Sequence, residues 1–192
     1  MAASTACFSS PVTVAELDIH VNDPIQHLLN CHQKIERSLI IVENAVNSLT
    51  LTVPALRAEA VAALDYELAL LQLLANLHAQ DEDQSTFPRL RARLGNDPER
   101  LGTLIESLEV QHREEHIVFV ELGACVWEIL AKGGSAGDDQ LAELDALVER
   151  LAGIYRHQIT AENERVIPSC RQRLTQADFD GMREEMRKRY NE

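Results

Sequence analysis

The sequence predicts an all-α protein, an up-down four-helix bundle with an N-terminal arm and a short C-terminal helix. Three observations carry that expectation. Hydrophobic residues make up 45% of 192, yet aromatics are 4% and glycines number 8; Leu, Ala, Val and Ile supply the bulk, as in helices rather than sandwiches or barrels. Apolar residues recur with a helical period in four long segments. Short stretches of Pro, Gly, Asn and Asp separate those segments, and short connections favour antiparallel neighbours.

Residues 1–22 read as an arm: Val12, Val14, Leu17, Ile19 and Val21 alternate weakly, as in an extended segment rather than a core strand. The bundle is expected over 23–173. Asn22-Asp23-Pro24 opens its first helix, with Asp23 as N-cap and Pro24 at the first helical position. The stripe Ile25, Leu28, Leu29, Ile35, Leu39, Ile40 and Val42 carries that helix to about Leu49. Thr52-Val53-Pro54 starts a second helix through Leu64, Leu68, Leu71, Leu74 and Leu77 to about Asp83, where Phe87-Pro88 interrupts it. After the turn Gly95-Asn96-Asp97-Pro98, a third runs from near Pro98 through Leu104, Leu108, His112, Phe119, Leu122 and Val126 to about Leu130. The glycine-rich Lys132–Gly137 follows. Asp138 or Asp139 then caps a fourth helix through Leu144, Leu147, Leu151, Ile154 and Ile159, which ends before Pro168. Residues 174–192 form a C-terminal helical tail, whose basic run Arg183–Arg189 is expected to be a solvated face.

Lys plus Arg is 18 against 31 for Asp plus Glu, a formal charge of −13. Such a surface repels phosphate backbones and anionic lipid, so no nucleic-acid or membrane partner is expected. There is no unbroken run of 18 apolar residues and no charged-then-apolar leader, so neither a membrane span nor a secretory signal is expected. Cys7, Cys31, Cys125 and Cys170 are scattered without a CxxC pair and read as reduced thiols, which points to a cytoplasmic location.

Five of the seven histidines fall in a pattern. His32 lies in the first helix, His78 near the end of the second, His112 and His116 in the third, and His157 late in the fourth. Glu82 follows His78 by four residues and Glu162 follows His157 by five. The chain also repeats with a period of 80: His32 maps to His112, Glu82 to Glu162, Phe87 to Ile167 and Pro88 to Pro168. His78 maps to His157 one residue out, and His116 corresponds to Glu36. Residues four apart share a helix face, so His78 with Glu82 and His112 with His116 can project together. The five-residue step from His157 to Glu162 requires a π-type bulge, or else Glu164 takes its place. Imidazole with carboxylate suits Fe, Mn or Zn, and two carboxylates able to bridge suit a pair of ions. Ferritin-like centres need two Glu-x-x-His motifs; only Glu109 with His112 has that spacing. His20 and His27 stand outside the pattern and are expected to be ordinary side chains. Asp81 and Asp83 are expected at the solvated end of the second helix, and Cys31, Phe119 and Trp127 in the core. Glu36 remains open as a direct ligand or a hydrogen-bond acceptor for His32.

These motifs resemble the hemerythrin-like, or HHE cation-binding, family over roughly Asp23 to Arg173. The resemblance rests on Asp23-Pro24-Ile25 ahead of His32, on His78-x3-Glu82 with Phe87-Pro88, on His112-x3-His116, and on His157-x4-Glu162 with Ile167-Pro168. It implies a four-helix bundle holding two non-haem iron ions with an oxo or hydroxo bridge. By resemblance, His32, His78, His112, His116 and His157 would ligate the irons, and Glu82 and Glu162 would bridge them. Glu162 departs from the Asp of oxygen carriers, which is nearer the broader group with sensing, nitric-oxide and iron–sulfur repair roles. The expected function is binding of O2 or a related small ligand such as NO, for storage, sensing or stress response, with no catalytic residue and an apolar pocket lined by Leu28, Leu74, Ile117, Val120 and Leu151. The alternatives are a di-iron redox enzyme acting on nitric oxide, peroxide or O2, and an iron-handling protein that docks a partner. Whether the chain forms oligomers is left open.

Overall fold

A computed structural model describes residues 7–51, 53–97 and 100–190, with the side chains of 50, 51, 54 and 55 not described. Most of the described residues are helical, and there is no strand among them. Four long helices dominate: α1 (Pro24–Leu51), α2 (Pro54–Gln80), α4 (Leu101–Ala131) and α5 (Asp138–Ala161). Short helices α3 (Phe87–Ala92) and α6 (Ile167–Arg173) continue α2 and α5, and α7 (Gln176–Arg189) ends the chain. Helix α1 packs against α2 and α5, and α4 packs against the same two.

The buried stripes follow one rule. In α4, Leu101, Ile105, Leu108, Glu115, Phe119, Leu122, Val126 and Ile129 are buried, with His112 between them. The steps alternate four and three, the spacing that keeps one seam of a helix facing its partners. In α5 and just beyond, the same steps run Leu141, Leu144, Val148, Leu151, Tyr155, Gln158, Glu162. In α1 they run Ile25, Leu28, His32, Ile35, Leu39, Val42, Val46, Leu49, and through α2 Val61, Leu64, Leu68, Leu71, Ala75, His78, Glu82. From Ile25 to Leu49 and from Val61 to Glu82, each member has its counterpart 80 residues on. The repeat is therefore a property of the whole inward seam, and the polar residues occupy positions that elsewhere hold Leu, Ile or Val. A Leu→Ala change on this seam costs about 2–5 kcal/mol.

Helix α2 does not stop at Phe87-Pro88. Pro88 lacks the N–H that would bond the Gln84 carbonyl, and its ring would strike that carbonyl in a regular helix. The chain instead widens into a π turn over Asp81–Thr86, in which the Phe87 N–H reaches the Glu82 carbonyl. Pro168 imposes the same device on Glu162–Val166, where the Ile167 N–H reaches the Glu162 carbonyl. Each proline thus fixes a wide turn that begins at or next to a buried glutamate. Thr86 Oγ1 donates to the Asp81 carbonyl at 3.0 Å and satisfies part of the opened ladder.

Two other expectations change. The arm is not simply extended: Val14–Leu17 form a 3-10 turn, and Phe8, Leu17 and Val21 enter the core. Asp65 of α2 holds it by accepting bonds from Ser9 N (3.1 Å), Ser10 N (2.8 Å) and Ser10 Oγ (2.8 Å). The arm crosses α4 at Gly123, where a Cβ would collide with the Cys7 carbonyl. Residues 1–6 of the arm, and the expected helix start at Pro98, lie outside the described residues. The stretch Leu56–Ala92 is long and apolar enough to cross a bilayer by length and composition, with hydropathy 1.4; a continuous apolar run is not needed for that. Half of its most apolar window is buried inside the protein, and the stretch includes the buried Asp65, Asp81 and Glu82.

Candidate metal centre

The inward seams of α1, α2 and α4, with the two π turns, bring His32, His78, Glu82, His112 and Glu162 together. His32, His78, Glu82 and Glu162 are all buried, and each offers a ligand atom within 4.8 Å of the others. His32 Nε2 lies 2.9 Å from Glu162 Oε2, and His78 Nε2 lies 3.8 Å from that oxygen and 3.7 Å from Glu82 Oε2. His112 Nε2 lies 3.4 Å from Glu82 Oε2. Each glutamate oxygen therefore stands between two imidazoles. The His32 and His78 rings meet edge to face at 4.8 Å, and Phe87 stacks on His112 at 6.1 Å.

Two polar side chains aim the outer histidines. His32 Nδ1 is 2.9 Å from Asn163 Oδ1, and His112 Nδ1 is 2.9 Å from Asp83 Oδ1. Asp83 and Asn163 are themselves 80 residues apart, and each follows a buried glutamate. Each half thus orients the other half's histidine. Binding Nδ1 outward leaves Nε2 pointing inward, the arrangement that supports metal-ligating imidazoles.

Burial leaves these inward atoms unsatisfied. His32 Nε2, both oxygens of Glu82 and Glu162 Oε2 are buried without a hydrogen-bond partner. A buried carboxylate without a donor costs several kcal/mol, and native proteins pair nearly all such groups. Imidazole nitrogens and carboxylate oxygens, mutually close and unpartnered, fit one or two Fe, Mn or Zn ions; an all-oxygen Ca or Mg site would not use the imidazoles. Burial drives the Glu82 carboxyl up, reinforced by the nearby Glu162 charge. Burial works the same way on Glu162, but the adjacent imidazoles of His32 and His78 overcome it and hold that carboxyl well below its usual range. Burial opposes charge on His112, yet Asp83 and Glu82 raise it to about 10.

His116 and His157, expected as ligands, are exposed and remain outside the cluster. The seam explains both. The four-three spacing passes from His112 to Glu115, so His116 turns outward; from Tyr155 it passes to Gln158, so His157 turns outward. The register at 80 puts Gln158, not His157, opposite His78. The π turn expected near Glu162 is present, but it follows that residue and does not bring His157 in. Glu36 and Glu164 are also exposed, as are Ile117 and Val120, which were expected to line a pocket; Leu28, Leu74 and Leu151 are buried. Trp127 is 62% exposed and not core, whereas Phe119 is buried.

In their place the seam brings in Glu115, Tyr155 and Gln158. Tyr155 donates its hydroxyl hydrogen to Glu115 Oε2 at 2.7 Å, and Glu115 Oε1 and Gln158 Nε2 are buried without partners. Burial, the dominant influence, pushes the Glu115 carboxyl up to about 7.

A second polar group backs the first half. His27, expected to be unremarkable, is buried and lies 2.8 Å from Asp81 Oδ2. Asp81 is fully buried, not solvated, and Arg189 Nη1 donates to its other oxygen at 2.7 Å. The basic run of α7 is therefore partly a docking face: Arg189 also reaches Ser85 Oγ at 2.9 Å, while Glu185 accepts from Ser85 (2.7 Å) and from Arg89 (2.7 and 2.9 Å). Tyr190 packs on His27 with ring centroids 4.9 Å apart. Cys31 is core as expected, but its thiol faces His27 and His78; burial opposes its ionisation, and those imidazoles overcome this to bring it to about 6. No protein-family model matches the chain, and no curated protein matches it in sequence.

Proposed function

We propose that the chain is a hemerythrin-like up-down four-helix bundle whose buried cluster holds two non-haem iron ions and binds O2 or a related diatomic such as NO. The observation that carries the reading is the set of unpartnered, mutually close donor atoms on His32, Glu82 and Glu162, with His78 and His112 alongside. Bound there, the ions would supply an open coordination position for a small ligand. The chain's own contributions are different. Asn163 and Asp83 keep the Nε2 atoms of His32 and His112 inward. Glu82 and Glu162, each between two imidazoles, are the candidates to bridge. Leu28, Leu71 and Leu151 on the same seams, with the buried Leu74 beside them, exclude bulk water, which strengthens every electrostatic contact inside.

Metal analysis of anaerobically purified protein, followed by its optical spectrum on exposure to air and to NO, tests the proposal. Two irons per chain with a reversible ligand-to-iron absorption band are expected. Iron without a band for either gas would overturn the binding function, and no metal at all would overturn the centre itself.

A further inference from the structure

Helix α4 carries two rows of apolar side chains. One is the inward seam that includes His112. The other faces solvent: Val110, Ile117, Val120, Ala124 and Trp127 are all exposed, the four large ones by 49–62%. Steps of seven, three, four and three place them on a single stripe, the spacing that seats one helix against another. Scattered exposed apolar side chains are ordinary, but a continuous row marks an interaction surface. One charge interrupts the row: Arg113, also exposed, stands between Val110 and Ile117. Along the edge nearest α5, Glu114, Glu121 and Glu128 follow at intervals of seven, each one residue past a row position.

We propose that this face joins two copies of the chain, their α4 helices antiparallel about a two-fold axis level with residues 118 and 119. The row is complementary to itself in that register, as an isologous interface must be. Ile117 meets the partner's Val120, and Val110 meets the partner's Trp127. Arg113 meets the partner's Ala124, whose small side chain leaves room for it. The neighbours of that alanine on the same face, three residues before and four after, are the partner's Glu121 and the partner's Glu128. The single cation of the row is thus bracketed by two carboxylates, and it lies one turn from the Val110 that the partner's Trp127 covers, where guanidinium and indole attract. Glu121 approaches the partner's Glu121 near the axis. Arg150, held by Glu114 at 3.0 Å and by Glu121 at 3.1 Å, brings the compensating cation to that edge in each copy. An anionic membrane is a poor occupant for the same glutamates and for a chain of net charge −13. The pairing does not depend on bound ions.

Sedimentation velocity of the full chain tests the proposal, with dilution from roughly 100 to 1 µM. Salt of about 0.15 M shortens the Debye length to about 8 Å and screens long-range repulsion between the acidic copies. Trp127 is the only tryptophan in the chain, so its emission reports on this face alone. A dimer is expected, with blue-shifted emission that moves to the red on dilution. Ile117→Asp is expected to weaken association at least about 100-fold, because an unpaired carboxylate enters each of two central layers. Arg113→Glu is expected to weaken it about tenfold, and Arg113→Glu combined with Glu128→Lys to restore it, a coupling that opposed charges across the interface produce. All three positions are exposed, so the variants keep the fold. A monomeric wild type at the highest concentration, with the emission of a solvated indole, would overturn the second copy as occupant. A dimer that Ile117→Asp leaves intact would overturn this face as the interface, and failure of the charge reversal to rescue Arg113→Glu would overturn the antiparallel register.

Discussion

Residues 25–82 and 105–162 carry the same four-three seam at an offset of 80, yet only the first half is buttressed from behind. There, His27 pairs with Asp81, Asp81 with Arg189, and α7 lies across the π turn that carries Glu82. The corresponding positions of the second half are Ser107 and Ala161, which can form no such pair. The second half keeps its polar machinery inside instead, as Glu115, Tyr155 and Gln158. A repeated backbone frame therefore fixes which positions face inward, and divergence at a few seam positions decides which polar groups each half places there.

The sharpest way to break the comparison is to remove what the halves share. Glu82→Ala and Glu162→Ala are each expected to abolish stable binding of both ions, because each carboxylate stands between imidazoles of both halves or of both seams; metal content after gel filtration is the readout. Loss of only one ion in either variant would mean that the glutamate serves one ion alone.

The buttress comes next. Burial disfavours charge on His27, but Asp81 and Cys31 outweigh it and raise the imidazole to about 9. A raised imidazole stabilises the fold fully below its free value of 6.5, and that contribution is lost as pH climbs through 9. Stability of the metal-free wild type relative to His27→Gln is therefore expected to decline by about 3 kcal/mol between pH 6.5 and 9, measured by chemical denaturation. Parallel profiles for the two proteins would show that the pair contributes nothing through its charge.

A smaller effect tests the reciprocal orientation of the histidines. Asn163→Ala and Asp83→Ala each remove the partner of an Nδ1 atom, and loss of such a partner weakens metal affinity about 10–100-fold. The first is expected to weaken the His32–His78 position and the second the His112 position, resolved by competition with a chelator. The smallest effect is none: His116→Ala and His157→Ala leave metal content unchanged.

The last pair shows what sequence reading could and could not see. Helix positions, the period of 80, and the group His32, His78, Glu82, His112 and Glu162 were legible because apolar periodicity and matching prolines mark them. His116 and His157 mislead because their residue type suits a ligand while their register turns them outward. Read strictly at 80, His78 points to Gln158, and the steps Leu108, His112, Glu115, Phe119 select Glu115 over His116. Prolines 88 and 168 read as helix stops, whereas a π turn absorbs each without ending the helix. The His27–Asp81–Arg189 group was not legible, since Arg189 is 108 residues from Asp81 and no periodicity links them. Asp81 and Asp83 looked solvated because a run of acidic residues usually is; the wide turn buries Asp81 and turns Asp83 onto His112.

The central claim is that two ions sit inside the seam, among the buried donors that both halves supply. Anomalous X-ray scattering from crystals of protein loaded anaerobically with Fe2+ tests it most directly. Two iron peaks are expected inside the bundle, among His32, His78 and His112, with Glu82 and Glu162 between them. A peak at His116 or His157, or none inside the bundle, would contradict the account.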